Sequence, residues 1–156
     1  MDKGASIARF LELHHLGVIG VSRTGKNFGA SLYRELVKRY SVVVPVNRNG
    51  GSIDGVAMTT SIGELEGKVD GIVVAVPPEE CSIVVREAYA AGIRNIWIQQ
   101  RSESADAITF CSEHHLAETH GECLMMYLSE VSFPHRLHRA VRRLAGRLPH
   151  VPGKVM

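Results

Sequence analysis

The sequence predicts an α/β fold, a doubly wound and mainly parallel sheet with helices on both faces. Three observations carry that expectation. Runs rich in β-branched residues recur at 17–21, 42–46, 71–76 and 95–98 without polar alternation, as strands buried on both faces require. Helical patterns separate most of these runs, so successive strands connect by crossovers and lie parallel. The first run also empties into a loop of glycines and hydroxyls, GVSRTGKNFG, at the mouth of the next helical pattern.

The elements follow in order. An opening helix sets Ile7, Phe10, Leu11 and His14 on one side. The first strand lies within 17–22, and Gly20 lets the backbone turn sharply there. A second helix over 30–40 carries Phe28, Leu32, Leu36 and Tyr40 at intervals of four as a core-facing stripe. Strand two, 41–46, ends at Pro45 and opens into the turn-forming loop RNGGSIDG. A short strand at 56–59 and a helical turn at 61–66 precede the buried strand GIVVAV, 71–76. Pro77 and Pro78 stop that strand and suit the first turn of the next helix, with Glu79 and Glu80 at its positive end and Gly92 closing it. NIWI at 95–98 is a further strand, 104–119 a helix capped by Ser102 or Ser104 and ended by Gly121, and ECLMMY at 122–127 the last strand.

Composition sets the bounds. With 156 residues, 45% hydrophobic and 22% charged, the chain suits one core, hence a single domain over 1–150 with a frayed tail at 151–156. No apolar stretch approaches a membrane span and the N-terminus has no signal-peptide pattern, so a cytoplasmic protein with no membrane partner is expected. Cys81, Cys111 and Cys123 sit in apolar patterns and read as reduced thiols. The formal net charge of +2 hides a basic tail: six cations and no acid follow Glu130, leaving 12 basic against 16 acidic residues up to and including it. Leu137, Val141, Leu144 and Leu148 in that tail predict a helix near 134–148 whose apolar stripe packs on the domain and whose arginines face water, so nucleic acid is not the expected partner.

In a doubly wound sheet, ligands bind outside the carboxyl ends of the strands, where the strand order reverses. Four loops qualify: 20–28, 45–49, 76–79 and 99–104. The first offers an anion site, since unpaired N–H groups and the helix dipole favour negative charge. The fingerprint G-x-G-x-x-G of NAD sites is absent, and strand two ends in Asn47 and Arg48 where NAD usually needs a carboxylate. An arginine there suits a ribose phosphate, which leaves NADP or a 3′-phosphorylated nucleotide such as coenzyme A (CoA). Lys26 does not sit in a G-x-x-x-x-G-K-[ST] loop, so a nucleoside triphosphatase is not expected.

The ordered series GVIGVS, VVVPVN, VDGIVVAVP, IWIQQ and ECLMMY, spanning 16–127, resembles the CoA-binding domain family. That is the Rossmann-like module also found as the N-terminal domain of the succinyl-CoA synthetase α-subunit. The resemblance implies that Gly20, Val21, Ser22, Arg23 and Lys26 approach the CoA phosphates. It also implies that Pro45, Val46, Asn47, Val76 and Pro77 line the nucleotide and pantetheine path, with Gln99 nearby. Charge alone suggests Arg48 for the 3′-phosphate, a surface salt bridge being the alternative, and Phe28 is either core or a lid on the ligand. The second, histidine-bearing domain of the synthetase has no room here, and no paired nucleophile and base, paired carboxylates or metal spacing is visible in the site loops.

The expected function is therefore binding of CoA or an acyl-CoA by a non-catalytic carrier, sensor or regulatory module, alone, as a homo-oligomer or beside a partner subunit. Competing expectations are an NADP-dependent reductase, one chain of a split acyl-CoA ligase, and a nucleotide-sensing DNA-binding regulator that would use the basic tail. His14, His15, His114, His115, His120, His135 and His138 read as surface or capping residues rather than metal ligands. Cys123 reads as a buried apolar residue, with a mixed disulfide to the CoA thiol as the alternative. Trp97 reads as core.

Overall fold

The computed structural model describes residues 2–128; the expected basic helix at 134–148 and the tail at 151–156 lie outside them. Helix α1 (Lys3–Leu11) is capped by Asp2, whose carboxylate accepts the Ala5 N–H at 3.3 Å, and it buries Ile7, Phe10 and Leu11. His14 falls beyond the helix end and is exposed, so it does not continue that face. Then come β1 (His15–Ile19), α2 (Phe28–Leu36), β2 (Val42–Val46), a hairpin of β3 (Ser52–Ile53) and β4 (Val56–Ala57), a 3₁₀ turn (Ile62–Leu65), β5 (Gly71–Val74), α3 (Pro78–Ala90), β6 (Asn95–Gln99), α4 (Ala105–Glu113) and β7 (Ala117–Glu122).

The main sheet runs β2-β1-β5-β6-β7 with every pairing parallel. Side chains alternate across it. Leu16, Val18, Val73 and Trp97 pack toward α1 and α2, while Ile19, Ile72, Val74, Ile96 and Ile98 pack toward α3 and α4. Helices on both faces and a reversal of strand order between β1 and β5 make this the doubly wound architecture the sequence predicts. Gly17 lets the 3₁₀ turn pack close to the sheet, since a Cβ there would sit 2.7 Å from Leu65 Cδ1 and force that side chain to shift.

Three expectations are corrected. The helix over 104–119 stops at Glu113; Ser104 caps its start and His115, at φ 53°, turns the chain so that Ala117 pairs with Asn95. The last strand is the polar AETHGE rather than the apolar ECLMMY, because β7 is an edge strand that need bury only part of its surface. Gly121 lies inside this strand, where three residues of β7 oppose two steps of β6, and Leu124–Tyr127 forms a 3₁₀ turn. Phe28 is 42% exposed and does not belong to the core stripe, because steps of four rotate about 40° each around a helix and carry the first member off the buried face of Gly29, Ala30, Leu32, Tyr33 and Leu36.

At the amino ends of β1 and β5, Asp70 fixes the register. Its Oδ2 accepts the His14 N–H (3.1 Å) and the His15 N–H (2.9 Å) and lies 3.0 Å from His15 Nδ1. Burial pushes the Asp70 carboxyl up, but the two N–H groups and His15 outweigh it and hold the group below its ordinary value. Such stabilisation is complete above the unfolded pKa and is lost as pH falls through the lower folded one. Asp70→Ala is expected to cost about 1 kcal/mol at neutral pH, allowing for the exposure of the pair. In urea melts, that difference should shrink below about pH 4. No helix among the described residues is long and apolar enough to cross a membrane.

Candidate functional site

The strand-order reversal opens a cleft of about 830 Å³ at the carboxyl ends of β1, β2 and β5. That volume is in the upper part of the ~300–1,000 Å³ range of small-molecule sites. Four segments wall it: the loop after β1, the loop after β2, the segment Thr60 to Gly63, and the entry and one face of α3.

The loop after β1 is built from backbone. Gly20 turns at φ +100°, and a Cβ on it would collide with the Ala75 carbonyl oxygen beyond β5. The N–H groups of Gly20 and Val21 both donate to the Val46 carbonyl at 3.3 Å, which fastens the turn to β2. Gly29, in the first turn of α2, has no room for a Cβ beside the Gly20 carbonyl, so helix and loop meet backbone to backbone. Asn27 caps α2. Its Oδ1 accepts from Ala30 N (2.9 Å) and Ser22 N (3.1 Å), and its Nδ2 donates to the Gly20 carbonyl at 2.8 Å.

Arg34 braces the loop from α2. Its Nη1 donates to the Gly25 carbonyl at 2.7 Å, while Nε and Nη2 form a fork on Asp54 in the hairpin turn at 2.7 and 2.9 Å. That hydrogen-bonded fork, more than offsetting burial, holds the Asp54 carboxyl below the usual carboxylate range. After β2, Asn47 ties the second loop to the first: Nδ2 donates to the Val21 carbonyl (2.8 Å) and Oδ1 accepts the Asn49 N–H (2.9 Å). On the third wall, the hydroxyls of Thr60 and Ser61 donate to Glu64 at 3.0 and 3.2 Å, and the Thr60 bond leads in holding that carboxyl below its ordinary value.

Of the residues singled out in the sequence, Gly20, Val21, Ser22, Val46, Asn47, Arg48, Val76 and Pro77 line this one cleft. Arg23, Lys26, Phe28, Pro45 and Gln99 do not. Arg23 and Lys26 are exposed on the adjoining loop, Arg23 lying across Gly51, and Phe28 faces solvent. Pro45 is buried within β2. Gln99 is spent structurally: it is buried and its Oε1 accepts the Leu124 N–H at 3.2 Å, one strand away from the reversal. Arg48 Nη2 reaches across to Glu87 of α3, 3.3 and 3.4 Å from its two oxygens. Cys123 is buried and outside the lining. Burial pushes the thiols of Cys81 and Cys111 up to about 11 and 12, so both are inert at neutral pH.

Asn27, in the loop GVSRTGKNFG that the sequence offers as an anion site, lines the cleft, and so do Thr60, Ser61, Glu80, Val84 and Glu87, which no motif marks as site residues. Asn27 carried a signal, an N-cap residue directly before a helical pattern. The others arrive through tertiary placement of the segment after the hairpin and of one face of α3.

The comparisons agree with this geometry. A family model described as CoA binding domain matches residues 14–129. A conserved hypothetical protein from Pyrococcus furiosus is similar at 30% identity and a TM-score of 0.69, the alignment covering 73% of this chain and 98% of that one. A hypothetical protein from Pyrococcus horikoshii OT3 shares the fold at 20% identity and a TM-score of 0.71, over 78% of this chain and 87% of that one. The apo dinucleotide-forming acetyl-coenzyme A synthetase 1 of Ca. Korarchaeum cryptofilum shares it at 19% identity and a TM-score of 0.54, over 78% of this chain but 24% of that one. A search of curated proteins gives no match. With the family model covering most of the strands, helices and cleft walls described above, the chain belongs to the CoA-binding domain family.

Proposed function

We propose that the protein binds CoA or an acyl-CoA in the β1–β5 cleft and acts as a non-catalytic carrier, sensor or regulatory module. One observation carries this reading: the loops after β1, β2 and β5, chosen from sequence as a CoA path, wall a single cleft at the strand-order reversal. The donor set fits the ligand. The backbone-built turn with Ser22 suits a diphosphate, Arg48 a phosphate monoester, and the apolar strip of Ile19, Val46, Val76 and Pro77 the pantetheine arm. The buried thiols support a reducing, cytoplasmic setting.

Calorimetric titration of the purified protein with CoA, dephospho-CoA, NADP and NAD tests the reading. CoA should bind best, and Arg48→Ala should reduce CoA affinity about tenfold, the size of one charge-assisted hydrogen bond, with little change for dephospho-CoA. Preference for NADP would favour the reductase and sink this reading. A second reading, one chain of a split acyl-CoA ligase related to the succinyl-CoA synthetase α-subunit, draws on the likeness to a module within the larger acetyl-CoA synthetase. Native mass spectrometry of gently purified protein distinguishes a lone chain, a homo-oligomer and a chain bound to a ligase subunit.

A further inference from the structure

The α3 wall is at odds with a polyanionic ligand. Glu80, Val84 and Glu87 lie on one face of α3 and all line the cleft, so two carboxylates face a space proposed for a ligand with several phosphates. Glu80 sits in the first turn, where the helix dipole offsets its charge; Glu87 lies near the other end, where it does not. Among the described residues the cation on Glu87 is Arg48, from the opposite wall, so the ion pair spans the cleft mouth.

We infer that Glu87 is an affinity-setting competitor that holds Arg48 in place of the ligand and yields it to a phosphate monoester. This rests on the CoA reading of the cleft. The geometry suits exchange. A single nitrogen, Nη2, faces both Glu87 oxygens at 3.3 and 3.4 Å, which is not the two-nitrogen fork Arg34 makes on Asp54 at 2.7 and 2.9 Å. The Arg48 and Glu87 side chains are 54% and 44% exposed, so the pair is screened and costs little to open. A phosphate monoester carries more charge than a carboxylate and can accept a full fork from the same guanidinium. A ligand without that phosphate has nothing to offer in exchange. Glu87 therefore lowers the affinity that the 3′-phosphate adds, because a 3′-phosphorylated ligand must displace it and a ligand without that phosphate leaves the pair closed.

The test is calorimetric titration of the intact protein, Glu87→Gln and the double variant Arg48→Ala/Glu87→Gln with CoA and dephospho-CoA, thermal melts confirming folding at this exposed position. Glu87→Gln should raise CoA affinity about fivefold and dephospho-CoA affinity less than twofold, a gain of the size expected when an exposed ion pair no longer has to be opened. The double variant should lose that discrimination. An unchanged ratio of the two affinities in Glu87→Gln overturns the inference while CoA binding stands. An equal gain in the double variant overturns it too, since plain repulsion without Arg48 would then suffice. Failure of both the wild-type protein and Glu87→Gln to bind CoA overturns the CoA reading and this inference together.

Discussion

Gly20→Ala is expected to abolish CoA binding and to destabilise the fold by about 3 kcal/mol, the sum of left-handed backbone strain and overpacking. The strain comes from φ +100°, which an L side chain rarely adopts, and the overpacking from the Ala75 carbonyl oxygen, backbone that cannot rotate away. Moving either strand end to make room also shifts the Gly20 carbonyl, which Asn27 Nδ2 holds at 2.8 Å and against which Gly29 packs. The loop, the cap of α2 and the end of β5 would therefore move together. Gly55→Ala is the matched control, since Gly55 also has a positive φ, +83°, but nothing lies within 4 Å of an added Cβ. Its cost should be about 1 kcal/mol of strain alone. Urea denaturation of both variants separates collision from strain, and titration of each with CoA should show loss of binding for Gly20→Ala only.

Trp97→Ala is expected to cost about 4 kcal/mol, since Trp97 is the largest fully buried side chain among the described residues. Trp97 is fully buried on β6, its ring 5.4 Å from Phe10 of α1 and 5.7 Å from Tyr127 beyond β7. Truncation would leave a cavity between the sheet and two elements that cannot both close on it. Trp97→Phe should be far milder, about 1.5 kcal/mol, as a change of volume rather than a lost polar partner. The reason is specific: Trp97 Nε1 donates to the Glu122 carbonyl at 3.3 Å, but that carbonyl also accepts the Gln100 N–H at 3.1 Å and stays satisfied. Because Trp97 is outside the cleft lining, CoA affinity of folded Trp97→Phe should match the wild type. A weakened affinity would show that the indole contributes to the ligand site.

The fold was legible where strands are buried on both faces. Residues 17–19, 71–74 and 96–98 announce themselves by apolar, mostly β-branched runs because each is buried throughout, and the edge strand 42–46 by its four valines although Val42 is 40% exposed. Legibility failed at the other edge, β7. In AETHGE only Thr119 and Glu122 are buried, and Glu122 is matched by Lys3 at 3.0 Å, so neither apolar runs nor alternation marks the strand. The apolar LMMY beyond it mimics a strand but closes the core beside Trp97. The site divides the same way. Its loop-borne parts, Gly20 to Ser22, Val46 to Arg48 and Val76 to Pro77, follow strands and could be located by the end-of-strand rule. Thr60, Ser61 and Glu87 follow no strand of the main sheet, and their approach depends on the path of the hairpin and the rotation of α3.

Arg34 joins two segments that are distant in sequence, the turn at Gly25 and the hairpin tip at Asp54. These are surface loops, which would ordinarily fray independently. With one guanidinium gripping both, they form a single cooperative unit for local opening. Protection of the amides around Gly25 is then set partly at Asp54, and drift in a hairpin outside the cleft lining is transmitted to the loop that follows β1.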